Sequence, residues 1–588
     1  MSENFEKRTT GNVSEKASLI WDIANKISGL YKPHEYGKVI LPLTVIKRFN
    51  DTLLPTHDKV LEVNKNCDFR GIQVKDGFLQ KASGYKFYNT SVFTFEKLLD
   101  DADNIEDNLR SYLAGFSENV INVLENFDFD KEITKLAKAD YLYTVIQEFC
   151  SDKAYMGTDR VSSTDMGYIF EELIRKFSES YNEEAGAHFT ARDIIYLMTD
   201  LLIAGDKESL EQEVVTKTVY DMAMGTSQML GCLTERIKAI NDEADVTCFG
   251  QELNPETFAI AKADMLIKGG NPDNMRQGDT LSNDQFSGYT FDYIISNPPF
   301  GIDWKVEKKA VEDENAKGEN GRFPYLPSIS DGQMLFMENG ISKLKETGRM
   351  AIIQNGSPLF SGDAGSGPSN IRGMLLENDW LEAIVQLPTD MFYNTGISTY
   401  IWLVTKNKSA EREGKVQLID ASKMFEKRRK NLGNKRNDFS DKCIKAIVKA
   451  YKEFDNQFYE YGTKSVESKV FSNADFAYLK VTVETPLKDE NGKIKLDKKG
   501  RPQPDKELTD TEIIPVTENI EAYMEKNVYP FNPDAYIDDS KTKKGYEIPF
   551  TRLFYKFVPP ASSKDIYAEI KEMEKTETAL MKELFSND

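Results

Sequence analysis

From about residue 185 to about residue 408, short apolar runs alternate with helical stretches, and this alternation restricts the fold more than any other property of the chain. The runs are Thr218–Asp221, Val246–Gly250, Phe291–Ser296, Arg349–Gln354, Leu381–Leu387 and Ser398–Val404. A strand buried on both faces reads as a continuous apolar run, because helices cover both sides of a parallel sheet. Runs of this length with helices between them predict an α/β domain built on a doubly wound sheet. Two polar, glycine-rich stretches, 313–333 and 356–370, interrupt the pattern and are long enough to be loops beside a site.

The whole chain has 588 residues, too many for one compact core, so two to four units are expected. Before the alternating region, residues 14–180 carry apolar positions at helical spacing. Examples are Ala17–Ile27, Tyr36–Leu43, Phe95–Phe127 and Asp165–Tyr181. The piece 69–91 is richer in glycine and tyrosine and reads as a loop or short hairpin. After residue 409 the chain is charged and mixed, with a short strand at Lys480–Glu484 and a hairpin-like connection at 491–500. It ends in an amphipathic Glu/Lys helix, Ser563–Leu584. The expected domains are an α-helical N-terminal domain (1–180), an α/β domain (181–408) and a mixed, partly helical C-terminal tail (409–588).

The five cysteines are scattered without a CxxC pair and the three histidines are far apart, so neither a disulfide framework nor a metal site is expected. The polar N-terminus lacks the apolar core of a signal peptide, and no apolar run reaches the roughly 18 residues of a bilayer span. A cytoplasmic protein with no membrane contact is expected. The net charge of −21 opposes a chain that grips nucleic acid unaided, because phosphate neutralisation drives such binding. The densest basic run is 426–436, which reads equally well as a phosphate contact or a solvated loop.

The motif that carries chemistry is Asn297-Pro298-Pro299-Phe300, placed directly after the run Phe291–Ser296. An amine on an aromatic ring is a poor nucleophile, because its lone pair is delocalised. Two acceptors aimed at its two hydrogens draw it towards tetrahedral geometry. The Asn297 side-chain oxygen and the Pro298 carbonyl are suited to that task. Prolines fix φ and bring no competing N–H. Phe300 would stack on a base swung out of its duplex, as chemistry on a paired base requires. The alternative is an ordinary turn, since Asn-Pro and Pro-Pro are common loop dipeptides.

Upstream, Thr218–Asp221 runs into Met222-Ala223-Met224-Gly225-Thr226-Ser227-Gln228 and then a helix. A glycine-bearing turn from strand to helix lets a ligand approach the backbone, as in Rossmann-like sites. The second strand ends at Glu252, where such sites place the acid that holds ribose hydroxyls. Asp279, in Gly278-Asp279-Thr280-Leu281, is an acid able to accept a hydrogen bond from an adenine amine. In this order, these residues predict a site for S-adenosylmethionine ahead of Asn297.

Taken together, these residues resemble the modification (M) subunit of type I restriction–modification systems, an adenine-specific DNA methyltransferase family. The resemblance covers nearly the whole chain. Ile20–Ala24 through Tyr36–Pro42 is similar to the family's N-terminal helical domain. Ala187-His188-Phe189-Thr190-Ala191-Arg192 resembles its segment against the methionine end of the cofactor, and Ser330–Phe336 and Asn394–Ile397 resemble its later motifs. The resemblance implies a Rossmann-like S-adenosylmethionine-dependent domain that methylates the exocyclic amino group of adenine in DNA. Asn297, Pro298, Pro299 and Phe300 would be catalytic. His188, Phe189, Thr190, Asp221, Gly225, Thr226, Ser227, Gln228, Glu252 and Asp279 would be cofactor-binding.

Implied partners are DNA, a specificity (S) subunit that contacts the C-terminal region, and a second M subunit. A restriction (R) subunit is left open. The chain departs from the family where Ser227 and Gln228 replace two glycines, and where Ala191 replaces proline. A residue other than glycine held at positive φ would cost about 1 kcal/mol. The alternatives are methylation of a cytosine amine or a glutamine amide, and a cofactor-poor scaffold supporting a DNA-binding partner.

Overall fold

The computed structural model describes residues 16–585 apart from 33–34, 163–164, 168, 171, 174–175, 177–189, 394, 498–499, 501 and 558–559. Two compact units divide the chain, Met1–Ile548 and Pro549–Asp588.

The N-terminal part is helical, as its periodicity predicts, and is organised around α1 (Gly37–Leu53), which is buried on nearly every side. An encircled helix can keep polar residues only if each is satisfied. Lys47 pairs with Asp51 at 2.8 Å, and Asp51 accepts from the Met156 amide at 2.7 Å. The Arg48 guanidinium donates to the carbonyls of Met156 and Val161, the latter at 2.8 Å. These bonds tie α1 to the segment that leads towards the sheet. The stretch 69–91, expected as loop or hairpin, contains a helix instead, Asp76–Ser83. Leu79, Ala82 and Ser83 face inward, and Gly84 at φ 78° closes its end in the left-handed region where glycine is favoured.

The α/β part is a ten-stranded sheet. Its strands are β1 (Thr216–Asp221), β2 (Asp245–Glu252), β3 (Met275–Gln277), β4 (Phe291–Ser296), β5 (Leu344–Asn355), β6 (Leu381–Gln386), β7 (Thr399–Thr405) and β8 (Lys415–Asp420). After the hairpin strands β9 (Glu426–Leu432) and β10 (Lys435–Asp438), which lie outside the sheet, come β11 (Gln457–Tyr461) and β12 (Lys464–Ser472). The spatial order is β11-β12-β8-β6-β7-β5-β4-β1-β2-β3. The chain winds outward from β1 through β2 to β3, then returns to β4 on the other side. The switch point, and hence the ligand crevice of an open α/β sheet, therefore lies between β1 and β4. β7 is antiparallel and sits between β5 and β6.

All six strands read from the sequence are present. The domain edge read at 408 falls inside the sheet, because β8, β12 and β11 extend it past β6. Strand β8 is flanked by charged residues and β11 and β12 have polar outer faces, so the apolar pattern fades before the sheet ends. Gln417, fully buried in β8, is held by the Arg412 guanidinium, the Ala450 carbonyl and the Ser468 hydroxyl.

Helices α2 (Arg192–Ala204), α3 (Gln228–Ile240), α4 (Pro255–Ile267), α5 (Gln333–Ser342), α6 (Gly367–Glu377) and α7 (Asp441–Glu453) accompany the sheet. α4 explains why the helical and α/β parts form one unit. Its Phe258 and Ala261 join the sheet core, while Ala259, Ile260, Ala263, Leu266 and Ile267 join the N-terminal core. Its apolar residues thus serve two cores, while Glu256, Lys262 and Asp264 keep its remaining face half-buried. Beyond the sheet, β13 (Ala477–Glu484) pairs with β14 (Asp510–Pro515), β15 (Tyr536–Ile537) and β16 (Lys543–Tyr546) around Val481, Val483 and Ile514. In the second unit, α8 (Ser563–Phe585) carries an exposed apolar stripe of Ile566, Ile570, Met573, Leu580 and Leu584.

Candidate active site

The loops that leave β1, β2, β3 and β4 at their C-terminal ends are stitched together over the switch point. From the β1 loop, the Met224 amide donates to the Gln251 carbonyl at 3.0 Å, and the Gly225 amide donates to the Glu252 carboxylate at 2.9 Å. The Thr280 hydroxyl donates to the Met222 carbonyl at 2.5 Å, and the Gly278 amide to the Glu252 carbonyl at 2.9 Å. From β4, the Ser296 hydroxyl donates to Asp221 at 2.7 Å. The sequence-read residues Asp221, Gly225, Glu252, Asp279 and Asn297 are thus brought to one rim of the sheet, although they span 77 residues of chain (297 − 221 + 1).

Within the β1 turn, Gly225 adopts φ 53°, and a side chain placed there would meet nothing within 4 Å. Its requirement is therefore the left-handed backbone itself. Ser227 adopts the same region, φ 63°, just before α3. The strain foreseen for a missing glycine is present at this position. Gln228 opens α3 with its side chain buried, and its Oε1 accepts from the Arg192 guanidinium at 2.5 Å. Its Nε2 donates to the Thr226 carbonyl at 3.4 Å, so the side chain is fixed between Arg192 of α2 and the turn. Arg192 closes the segment 187–192 read in the sequence, but its bond to Gln228 was not foreseen, because nothing in the local pattern links residues 36 positions apart.

The site is acidic and largely dry. Asp221 is 1% exposed, and burial pushes its carboxyl up to about 7 against the hydrogen bonds from Ser296 and the Ala223 amide. Burial also raises Glu252, while the amides of Asn254 and Gly225 lower it. Glu252 therefore braces the turn as well as facing the crevice rim. Asp279 is half-buried, and its Oδ1 accepts from the amides of Leu281 and Ser282 at 2.7 and 2.8 Å.

Asn297 is 7% exposed. Its Nδ2 donates to the Thr190 hydroxyl at 2.8 Å, and its buried Oδ1 has no partner among the described residues. Pro298 is buried and Pro299 half-buried. Phe300, expected as a stacking surface, is 7% exposed, its ring edge-on to Phe392 at 6.5 Å between centroids. Thr226 is buried in the turn. His188, Phe189 and Asn394 lie outside the described residues.

These residues fit S-adenosylmethionine. The turn has space at Gly225, Gln228 is fixed by Arg192, acids stand at or just past the ends of β1, β2 and β3, and a buried amide oxygen lacks a donor among the described residues. The strand order, with an antiparallel strand between β5 and β6, defines the Rossmann-like class of S-adenosylmethionine-dependent methyltransferases. Comparison with known proteins narrows the class.

The N-6 DNA methylase family profile matches residues 161–490, more than half the chain, and the HsdM N-terminal domain profile matches residues 16–149. The methylase subunit of the type I restriction enzyme MjaIX, from Methanocaldococcus jannaschii, is 23% identical over 457 residues, covering 75% of this chain and 78% of that protein. The MpnII methylase subunit from Mycoplasma pneumoniae is 24% identical over 489 residues, covering 76% of this chain and 85% of that protein. In fold, the chain is similar to a type I restriction–modification methyltransferase subunit from Streptococcus thermophilus, with a TM-score of 0.60 and 22% identity over 79% of this chain and 96% of that one.

The chain belongs to the N-6 DNA methylase family, and it is a DNA adenine methyltransferase. The resemblance to type I modification subunits is upheld. Among the described residues no helix is long and apolar enough to cross a membrane.

Proposed function

We propose that the rim over β1–β4 holds S-adenosylmethionine and presents Asn297 and Pro298 to the adenine amine, as the modification subunit of a type I complex. In this reading the Gly225–Gln228 turn and the start of α3 receive the cofactor. Asp221, Glu252 and Asp279 hold its polar groups, with His188, Phe189 and Thr190 alongside. When bound, the cofactor supplies an electrophilic methyl group.

The observation that carries the reading is the Asn297 amide. Its Nδ2 donates to the Thr190 hydroxyl, and its buried Oδ1 is left unsatisfied among the described residues. A buried acceptor without a donor costs about 1–3 kcal/mol and persists where function uses it. An adenine amine hydrogen satisfies it, and the Pro298 carbonyl takes the second hydrogen. Both acceptors sharpen the nitrogen lone pair. Phe300, backed by Phe392, forms the apolar wall against which the extruded base rests. The proton leaves to solvent after transfer, so no general base is assigned.

DNA, an S subunit and a second copy of this chain complete the proposed assembly. Base readout by a separate subunit accounts for an enzyme of net charge −21 acting on a polyanion. The apolar stripe of α8 is the surface proposed for the S subunit. The test is calorimetric titration of the full chain with S-adenosylmethionine, alongside Asp279→Ala, followed by methyl transfer with an S partner and Asn297→Ala. Micromolar binding that weakens in Asp279→Ala, and transfer lost in Asn297→Ala with binding kept, are expected. No binding by the folded chain, alone and again with its S partner, overturns the reading.

A further inference from the structure

The basic run 426–438 carries six basic residues (Lys427, Arg428, Arg429, Lys430, Lys435, Arg436) against two acidic ones (Glu426, Asp438), a local balance of +4 in a chain of −21. It is not a solvated loop. β9 and β10 form an antiparallel hairpin, and Gly433 at φ 55° opens its two-residue turn, where a II′ turn requires glycine.

The hairpin is rooted beside the catalytic loop. Lys435, 1% exposed, pairs with Asp193 at 3.0 Å and donates to the Met391 carbonyl at 3.1 Å. The Phe439 amide donates to the same Asp193 carboxylate at 2.8 Å. The Asn434 amide donates to the Tyr393 carbonyl at 2.7 Å, the Arg436 amide to the Asp390 carbonyl at 2.9 Å, and the Asn437 side chain to the Thr389 carbonyl at 2.8 Å. The anchoring segment contains Phe392, whose ring meets Phe300. Asp193 lies three residues after Thr190, which holds Asn297. The tip of the hairpin is therefore fixed to both sides of the amine-positioning loop.

Two of its basic residues have structural partners. Arg428 forks onto Asp438 at 2.5–2.6 Å, and Lys435 is buried. Arg429, Lys430 and Arg436 are exposed, and among the described residues no carboxylate lies within ion-pair distance of them. Holding like charges together on a rigid hairpin opposes folding unless an anion offsets them.

We propose that this hairpin is a phosphate clamp: Arg429, Lys430 and Arg436 grip the DNA backbone flanking the adenine extruded into the site. The inference rests on the DNA reading above. Backbone contacts fix register and orientation and carry no sequence information. They suit a catalytic chain whose partner reads the bases. The clamp also gives the acidic chain one local patch of attraction at the place where the base must be held.

The test is fluorescence anisotropy of the full chain with a labelled duplex carrying one unpaired adenine, at salt from about 20 to about 200 mM. The variant is Arg429→Gln/Lys430→Gln/Arg436→Gln, in which all three residues are exposed and the anchoring bond at Arg436 is made by its backbone amide, which the substitution keeps. Each phosphate contact contributes about 0.9 to the slope of log affinity against log salt, so the variant is expected to be shallower by about 2–3. Arg429→Lys/Arg436→Lys keeps the wild-type slope. An unchanged slope in the glutamine variant, or no duplex binding by wild type at the lowest salt, overturns the clamp. S-adenosylmethionine titration of the same samples separates the two readings. Wild type that binds the cofactor while the slope is unchanged refutes the hairpin alone. Wild type that fails to bind it, with or without its S partner, refutes the methyltransferase site instead.

Discussion

Replacing Asp221 by asparagine is expected to stabilise the protein at neutral and alkaline pH while weakening its grip on S-adenosylmethionine. In the folded chain burial lifts this carboxyl from 3.8 to about 7. Between about pH 4 and pH 7 the folded state therefore holds a proton that the unfolded state has lost. Stability falls as pH rises through that window, and the loss is complete and constant above it. Three units at 1.36 kcal/mol each amount to about 4 kcal/mol against the ionised form.

An asparagine side chain cannot ionise, yet its oxygen still accepts from Ser296 and from the Ala223 amide, bonds that measure 2.7 and 3.1 Å in the native site. At about pH 5 wild type has lost only about 1.5 kcal/mol, and at about pH 8 about 4, so the gain in Asp221→Asn should grow by about 2–3 kcal/mol between them. Urea denaturation of both proteins at the two pH values measures it, and subtraction cancels the other titrating groups. Calorimetry at the higher pH should show weaker cofactor binding, the usual opposition between stability and a strained site. A gain that is equal at both pH values would refute the assignment of this titration to Asp221.

Thr190→Val leaves the Asn297 Nδ2 without its acceptor, which is expected to cost about 1–3 kcal/mol of orientation. The turnover of methyl transfer should fall about tenfold or more with cofactor affinity unchanged, and Thr190→Ser should restore it; loss of cofactor binding in both would argue against a positioning role. Ser227→Gly relieves left-handed strain of about 1 kcal/mol while adding glycine's unfolded-state freedom. Its stability should stay within about 0.5 kcal/mol of wild type, and its cofactor affinity should not fall. A double-mutant cycle on Arg192→Met and Gln228→Gly should show coupling of about 1–3 kcal/mol in thermal or urea stability, and additive effects would mean that the 2.5 Å bond carries little.

The sheet was legible where strands are buried on both faces, since Val219, Ile294, Ile352, Ile384 and Ile401 leave no polar face to blur the pattern. β3 escaped because Met275–Gln277 is only three residues long, with one buried side chain. β11 and β12 escaped because an edge facing water needs little apolar content. Asp221, Glu252, Asp279 and Asn297 come to one rim because each stands at or just past the end of a strand, whatever the intervening sequence. What one dimension could not show is which way a side chain leaves the backbone. Glu252 reads as a crevice acid, and its carboxylate also receives the Gly225 amide. Phe300 reads as a surface for stacking on a base, and its ring also lies edge-on to Phe392.

Direction also settles how the altered glycine turn is to be understood. A glycine motif states two separate demands, a positive φ and space free of side chain, and these can be met in other ways. At Ser227 the φ is kept at 63° and a short side chain bears the strain. At Gln228 the helix has begun, so φ makes no special demand, and only the space matters. Arg192 holds Oε1 of the amide from α2, while Nε2 donates to the Thr226 carbonyl of the turn, so the side chain lies buried between the two. The sole sequence feature that favoured a cofactor-poor scaffold is therefore a substitution with its own compensation, 36 residues away. A scaffold would have no need to keep a buried asparagine oxygen without a donor. That oxygen is destabilising on its own and is accounted for by an enzyme that receives a base.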